Sequence, residues 1–249
     1  MIYVCSDIHG CGSRFYEMLK EIDFKDTDTL YILGDLIDRN NDSLELLKYV
    51  MGKKNIVLLM GNHEDLMYSY LARLNILGKL DIQDNFPNDN WLSDNNGGLV
   101  TLKDFIKEPF DVKLNILKYL SELPLICIVT VNGVKYHLSH SGTLPNVLDK
   151  EIWYLSDMNK AQRQIITWGS PFREDTYLPL SYYNKDCVNI FGHVPVQKLN
   201  DNYSFEILCI NNIINIDSGC AMFKLEENSP LKTALSCLCL DTMDEYYLM

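Results

Sequence analysis

The chain has 249 residues, of which 47% are hydrophobic and 22% are charged, and this composition is ordinary for a globular protein. Its formal net charge of −12 repels phosphate backbones, so we expect no sequence-independent binding to nucleic acid. No apolar stretch is long enough to span a bilayer, and residues 1–6 run directly into a polar motif instead of a signal peptide. We therefore expect a cytoplasmic protein without a membrane partner.

The first sixty residues alternate between strand patterns and helix patterns. Short apolar runs predict strands over 2–6, 29–33 and 55–60. Apolar residues at helical spacing predict two intervening helices, one with an N-cap at Ser13 and one with a cap at Asp42 or Ser43. This β-α-β-α-β order favours parallel strands joined by right-handed crossovers.

A different pattern follows between residues 64 and 122. Apolar spacing predicts helices that end at Gly78 and that cover 99–106 and 114–120, with a polar loop over 81–90. Because low-complexity linkers are absent from the sequence, we expect a single domain over 1–249 with a mostly helical insertion at about 64–122.

The second half reads mostly as strands. Asn132-Gly133 is a strong hairpin signal between strands at 125–131 and 134–139, whereas 143–180 is expected to be irregular. Further strands are predicted over 188–191, 203–210 and 213–217, and a final hairpin over 220–225 and 231–240. The half is predicted to be antiparallel in character. An α/β fold of two mixed sheets packed face to face, with helices outside, fits both halves.

Polar residues follow directly after five of the predicted strands. The motifs are Asp7-Ile8-His9, Gly34-Asp35-Leu36-Ile37-Asp38-Arg39, Gly61-Asn62-His63-Glu64, His140 and Gly192-His193. Four of the five histidines lie in these motifs, which indicates a metal site, because sites of open α/β sheets form outside the carboxyl ends of the strands. Mixed carboxylate, imidazole and amide ligands suit Mn²⁺, Fe or Zn²⁺.

This set of motifs resembles the calcineurin-like metallophosphoesterases, and within them the bacterial and phage-type serine/threonine protein phosphatases. The resemblance runs from residue 7 to 193, and residues 215–219 are similar to the strand that closes that fold. It implies a four-layer sandwich of two sheets and flanking helices, and two divalent metal ions, most often Mn²⁺. The implied ligands are Asp7, His9, Asp35, Asn62, His140 and His193, with Asp35 bridging the two ions.

The resemblance also implies a mechanism. A metal-bridging hydroxide attacks phosphorus in line, His63 protonates the leaving group as general acid, and Asp38 orients His63. Arg39 binds phosphoryl oxygens as a bidentate fork, and Arg173 replaces a family arginine at a longer spacing than usual. The implied substrate is a phosphorylated protein or a small phosphoester.

Two alternatives stay open. A symmetrical dinucleoside tetraphosphate hydrolase of the same superfamily has similar metal motifs, but those enzymes often lack the acid at Asp38 and carry Asp in place of Glu64. A non-catalytic metal-binding regulatory module belongs to another class, and degenerate ligands would favour it, whereas all six ligand positions are filled here. The oligomeric state and the native metal stay undetermined.

Three further groups are given no catalytic role. His137 is three residues before His140 on one strand, so its side chain should point to the opposite face and pack there. The eight cysteines include no Cys-x-x-Cys pair, and we expect reduced thiols that are not needed for catalysis. The segment 91–98 resembles one found in the same phosphatases, and flexible-turn, lid and substrate-loop roles are all open to it.

Overall fold

A computed structural model describes residues 1–80, 88–145, 147–172, 174–175, 177–199, 204–222 and 232–249. The strands in this part of the chain are β1 (Ile2–Cys5), β2 (Thr29–Ile32), β3 (Ile56–Leu58), β4 (Pro124–Val131), β5 (Val134–Ser139), β6 (Ile152–Tyr154), β7 (Val188–Phe191), β8 (Leu208–Ile210), β9 (Ile213–Asn215), β10 (Leu235–Cys239) and β11 (Glu245–Leu248). The α-helices are α1 (Gly12–Glu21), α2 (Ser43–Met51), α3 (Asn62–Ile76), α4 (Gly98–Phe105), α5 (Phe110–Ser121) and α6 (Lys160–Trp168).

The strands form two mixed sheets, as predicted. The first has the order β11-β10-β1-β2-β3, with β1, β2 and β3 parallel and the other two strands antiparallel. The second has the order β6-β4-β5-β7-β9-β8. The predicted antiparallel character of the second half is wrong at its centre, because β7 lies parallel to both β5 and β9. Parallel neighbours need a long crossover, and the segment with α6 provides one between β5 and β7.

The two sheets pack face to face through one apolar layer. Side chains alternate along each strand, so Val4 and Leu238 of the first sheet meet Leu138, Ile190 and Ile214 of the second.

The neighbouring residues on the same strands point the opposite way. Tyr3 and Cys5 pack with Phe15 of α1, while Phe191 and Ile213 pack on the outer side of the second sheet beside Ile165 of α6. Helices therefore cover both outer faces, and the four layers agree with the predicted fold class.

The region predicted to be irregular, 143–180, contains β6 and α6, so that prediction is wrong in part. The start of α6 is a capping box, in which Asn159 Oδ1 accepts from the Gln162 N–H and Gln162 Oε1 accepts from the Asn159 N–H, each over 3.0 Å. Ile166 on this helix is fully buried. The Asn-x-x-Gln spacing was a sequence signal for this helix.

The predicted final hairpin is also wrong. Residues 220–222 form a 3₁₀ turn, and residues 223–231 lie outside the described part of the chain. β10 pairs instead with β1 and β11, because its wholly buried backbone needs a hydrogen-bonded neighbour on each side. The guanidinium of Arg14 on α1 donates to the Cys220 carbonyl oxygen over 2.8 Å, so the turn at 220–222 is held by a helix.

The segment between β3 and β4 contains α3, α4 and α5. Gly78 follows α3 with φ 65°, and the predicted loop at 81–90 lies largely outside the described residues. The predicted N-cap at Ser13 is wrong, because α1 begins at Gly12, directly after the polar turn that follows β1. Among the described residues, no helix combines the length and apolarity needed to cross a membrane.

Candidate metal centre

Five strand ends deliver polar side chains to one edge of the molecule. Asp7 follows β1, Asp35 follows β2, Asn62 begins α3 after β3, His140 follows β5 and His193 follows β7. The edges of the two sheets join here, since Asp7 Oδ2 accepts the backbone N–H of His193 over 2.9 Å. With His9, these residues form a set that we call the ligand rim.

The loops at this edge use an unusual backbone conformation. The described chain has ten non-glycine residues with positive φ, and six belong to this site: Asp7, His9, Asp35, Asp38, Arg39 and His193. Such conformations cost on the order of 1–3 kcal/mol each and persist where the surrounding structure enforces them. Left-handed residues after β1, β2 and β7 turn the chain sharply and let neighbouring loops converge. Gly34 shows how closely they approach, because a Cβ there would lie 2.5 Å from Gly61 Cα.

The hydrogen-bond partners of two rim histidines show which ring nitrogen carries the proton. His9 Nδ1 lies 2.9 Å from the Ile37 carbonyl oxygen, and His140 Nδ1 lies 2.8 Å from the Leu33 carbonyl oxygen. A carbonyl only accepts, so each Nδ1 donates, and in the neutral imidazole each Nε2 then presents a lone pair. Backbone carbonyls commonly fix metal-binding imidazoles in this way.

The lone pairs face acceptor oxygens of other rim residues. His140 Nε2 lies 2.9 Å from Asn62 Oδ1, 3.1 Å from His193 Nδ1 and 3.5 Å from Asp35 Oδ2. His9 Nε2 also lies 3.5 Å from Asp35 Oδ2. Acceptors facing acceptors at these distances repel each other unless a cation lies among them. The donor set is therefore suited to divalent metal ions, with Asp35 between the two groups.

The electrostatics of the rim indicate the same need for positive charge. Burial raises the pKa of Asp7, and the nearby Asp35 carboxylate raises it further. Burial would also raise the pKa of Asp35, but surrounding imidazoles, His140 first, lower it below its usual value. One of those imidazoles, His9, has its own pKa lowered by burial and by Arg39. Since His9 is poorly able to carry charge, bound cations are the more suitable counter-charge for these carboxylates.

Glu64 supports the ligand rim through hydrogen bonds to its backbone. Its carboxylate is fully buried and accepts backbone N–H groups of Gly61 at 3.0 Å, Asp35 at 2.8 Å and Leu36 at 3.0 Å. Burial raises its pKa to about 7. The side chain thereby joins the loop after β2 to the start of α3, which keeps Asp35 close to Asn62.

His63 and Asp38, which we call the acid pair, lie beside the rim. His63 Nδ1 is 2.7 Å from Asp38 Oδ2, and His63 Nε2 is 3.3 Å from Arg39 Nη2 and 3.8 Å from Asp35 Oδ2. Burial and the Arg39 guanidinium act to lower the pKa of His63, but the Asp35 and Asp38 carboxylates outweigh them and raise the pKa. Possible ligand atoms of His63, His9 and Asp35, one from each, lie within 4.8 Å of one another, but Arg39 Nη2 donates towards the Nε2 lone pair that a metal ion at His63 would need.

A cavity of about 430 Å³ opens over the rim. Asn95 and Asn96 line it from the segment between β3 and β4, and Trp168, Lys198 and Asp217 line it from the second half of the chain. The Trp168 ring packs edge-on against His193, with 5.6 Å between ring centroids.

The structure thus brings together nine predicted side chains: Asp7, His9, Asp35, Arg39, Asp38, Asn62, His63, His140 and His193. Arg173 lies outside the described residues. His137 is buried on the same strand as predicted, with Nε2 3.3 Å from Thr143 Oγ1. Sequence reasoning missed Asp217 as a wall of the cavity, and it missed the contacts of Trp91 and Thr101 with Asp38. Gly97-Gly98 was a signal for close backbone approach in that segment.

Comparison with known proteins gives relatives that are similar in sequence and solved structures that are similar in fold. A symmetrical bis(5'-nucleosyl)-tetraphosphatase of Buchnera aphidicola is 45% identical over 65 residues, which span 25% of this chain and 24% of that protein. The match therefore covers about a quarter of the relative's length.

Two solved structures share the fold. A provisionally named diadenosine tetraphosphatase has a TM-score of 0.61 at 17% identity, covering 99% of this chain and 92% of that one. A serine/threonine phosphatase from Saccharomyces cerevisiae has a TM-score of 0.50 at 17% identity, covering 86% and 65%. The family model for calcineurin-like phosphoesterases matches residues 1–209, which include the whole ligand rim and the acid pair. The chain belongs to the calcineurin-like phosphoesterase family.

Proposed function

We propose that this protein is a dimetal phosphoester hydrolase that acts on phosphomonoesters with poor leaving groups, namely phosphoserine and phosphothreonine in proteins or peptides. The observation that carries the proposal is the acid pair, in which a buried carboxylate lies 2.7 Å from His63 Nδ1 while Nε2 lies beside the cavity. An alkoxide leaving group needs a proton, and a positioned imidazole supplies one.

Each residue of the site has a proposed part. The residues of the ligand rim would hold two divalent cations, most suitably Mn²⁺. When bound, such cations stabilise charge on the phosphoryl oxygens and lower the pKa of the attacking water. Arg39 donates its guanidinium N–H groups to the phosphoryl oxygens. His63 gives its Nε2 proton to the departing oxygen, and Asp38 keeps the Nδ1 proton in place.

A second candidate is symmetrical hydrolysis of a dinucleoside tetraphosphate. The Buchnera relative carries that name, and a further cavity of about 380 Å³ adjoins the site through Arg39, Asn95 and Ala221, which leaves room for a large leaving group. The presence of Asp38 and Glu64 favours the phosphatase. The expected cytoplasmic location and the expected lack of nucleic-acid and membrane partners stay predictions.

One assay orders the candidates. Purified protein with added Mn²⁺ is given phosphoserine and phosphothreonine peptides, p-nitrophenyl phosphate and diadenosine tetraphosphate under matched conditions. We expect the highest kcat/KM on the phosphopeptides. A higher value on the dinucleotide would reverse the order of the two candidates, and stoichiometric metal binding without turnover of any substrate would support the regulatory module.

A further inference from the structure

Two side chains outside the proposed chemistry hold Asp38. The indole Nε1–H of Trp91 donates to Asp38 Oδ2 over 2.8 Å, and the hydroxyl of Thr101 donates to Asp38 Oδ1 over 2.5 Å. With His63 Nδ1 at 2.7 Å from Oδ2, both carboxylate oxygens are engaged. Asp38 has no exposed surface, so its orientation depends on these three partners instead of on bulk water.

Both donors come from a part of the chain remote from the motif that contains Asp38. They are 53 and 63 residues away in sequence and belong to the segment between β3 and β4. Trp91 lies in a short 3₁₀ turn, and Thr101 is the fourth residue of α4. Trp91 and Thr101 therefore support the acid pair from a part of the chain, between Asn62 and β4, that contains no proposed metal ligand.

Packing against Tyr70 and Gly98 fixes the position of the Trp91 side chain. Its side chain is fully buried, and its ring lies 5.4 Å from the ring of Tyr70 on α3. Gly98 lies directly against the indole, because a Cβ there would be 2.4 Å from Trp91 Nε1. Gly97, with φ 72°, leads into α4 beside Arg39, whose backbone N–H points at the Gly97 carbonyl oxygen over 3.4 Å. The glycine pair thus lets the backbone approach both Trp91 and Arg39.

We propose that Trp91 and Thr101 are positioning residues for proton transfer: they hold Asp38 so that His63 presents its Nε2 proton to the leaving group. The proposal rests on the proposed phosphoester hydrolysis and extends it to the segment between β3 and β4. The Trp91 bond places Oδ2, and the Thr101 bond at Oδ1 prevents rotation of the carboxylate about its Cβ–Cγ bond. Asp38 then keeps the imidazole of His63 in one orientation, with Nε2 towards the cavity.

The variants that test this role remove one hydrogen bond at a time. Thr101→Val removes the hydroxyl at nearly constant volume, Thr101→Ser keeps it, and Trp91→Phe removes the indole N–H while keeping an aromatic ring. Trp153→Phe is the matched control, because it removes an indole bond to the Val147 carbonyl in a residue that does not line the site cavity. Each protein is assayed with a phosphoserine peptide and with p-nitrophenyl phosphate, and its bound Mn²⁺ is counted.

We expect Thr101→Val and Trp91→Phe to lose about 10–100-fold in kcat on the phosphopeptide, the usual effect of a group that orients an active side chain. The loss on p-nitrophenyl phosphate should be several times smaller, because that leaving group needs little protonation, and Mn²⁺ content should not change. Thr101→Ser and Trp153→Phe should match the wild type. In a His63→Asn background, Thr101→Val should cause no further loss, since its effect passes through His63.

Equal losses on both substrates, loss of Mn²⁺, or additive losses in the His63→Asn background would overturn the positioning role while leaving the proposed hydrolysis intact. Full activity of Thr101→Val on the phosphopeptide would also overturn the positioning role. Wild-type protein that binds Mn²⁺ but hydrolyses no phosphoester would instead overturn the proposed function and this inference with it.

Discussion

The ligand rim and the acid pair are neighbours, yet different parts of the chain hold them. Main-chain carbonyls of Ile37 and Leu33 orient His9 and His140, so the rim depends on the backbone that follows β2 of the first sheet. Side chains of Trp91 and Thr101 orient the acid pair. One edge of the molecule therefore combines a candidate metal centre supported by the backbone after β2 with a proposed proton donor supported by a helical segment. The two functions should respond separately to mutation.

The largest loss of activity is expected from a substitution in the ligand rim. His140→Asn removes the imidazole whose Nε2 lies within 3.5 Å of Asn62, His193 and Asp35. Metal content should fall, and activity should fall on phosphopeptide and p-nitrophenyl phosphate alike, by more than the roughly 10–100-fold typical of supporting groups. Metal analysis and both assays check this. Retained metal with a loss confined to the phosphopeptide would break the distinction between rim and acid pair.

The next effect is expected from the acid pair. His63→Asn should keep both metals and lose about 10²–10⁴-fold in kcat on phosphoserine peptides, the range of a general acid. On p-nitrophenyl phosphate the loss should be much smaller, because p-nitrophenolate leaves without a proton. Equal losses with metals intact would leave His63 as a phosphate-binding or structural residue.

A third prediction concerns the scaffold beneath the rim and uses pH. Burial lowers the pKa of His137 on β5 from 6.5 to about 4. Between pH 6.5 and 4 the unfolded chain binds the proton and the folded chain does not, so stability is full above pH 6.5 and falls as the pH approaches 4. The change is on the order of 3 kcal/mol at 1.36 kcal/mol per pKa unit.

The measurement for His137 is urea unfolding with EDTA present, at pH 7 and at pH 4.5, for the wild type and His137→Leu. The free energy of unfolding of the variant should depend less on pH than that of the wild type. Parallel pH dependences would show that His137 is not the group responsible.

The smallest effect is expected from Cys11, two residues after His9. None of the eight cysteines forms a disulfide, and the Cys11 thiol donates to the Cys220 carbonyl oxygen over 3.6 Å, outside the residues that line the site cavity. Cys11→Ser should keep metal content, and its kcat should stay within about threefold of the wild type, the size of a change that removes no ligand or proton donor. Loss of activity with metal still bound would mean that the rim depends on a thiol after all.

Local patterns were sufficient wherever neighbours in sequence are also neighbours in space. The hairpin at Asn132-Gly133 forms as predicted, with φ of 50° and 81° and Val131 paired with Val134. The metal motifs were equally readable, because each is a strand followed by a polar turn. Parallel strands bring such turns to one edge by geometry alone. The capping box of α6 is local in the same sense, because Asn159 and Gln162 are three residues apart.

The remaining features depend on contacts between distant segments. β10 belongs beside β1, more than two hundred residues earlier, because its buried backbone needs hydrogen bonds on both sides. β7 runs parallel to β5 and β9 because of its crossovers, which no local period encodes. Trp91 and Thr101 meet Asp38 only after α3 and α4 have packed. The sequence by itself determined which side chains are candidates for the chemistry, whereas the tertiary structure decided which residues hold them, because orientation comes from packing and hydrogen bonds that form only in the folded chain.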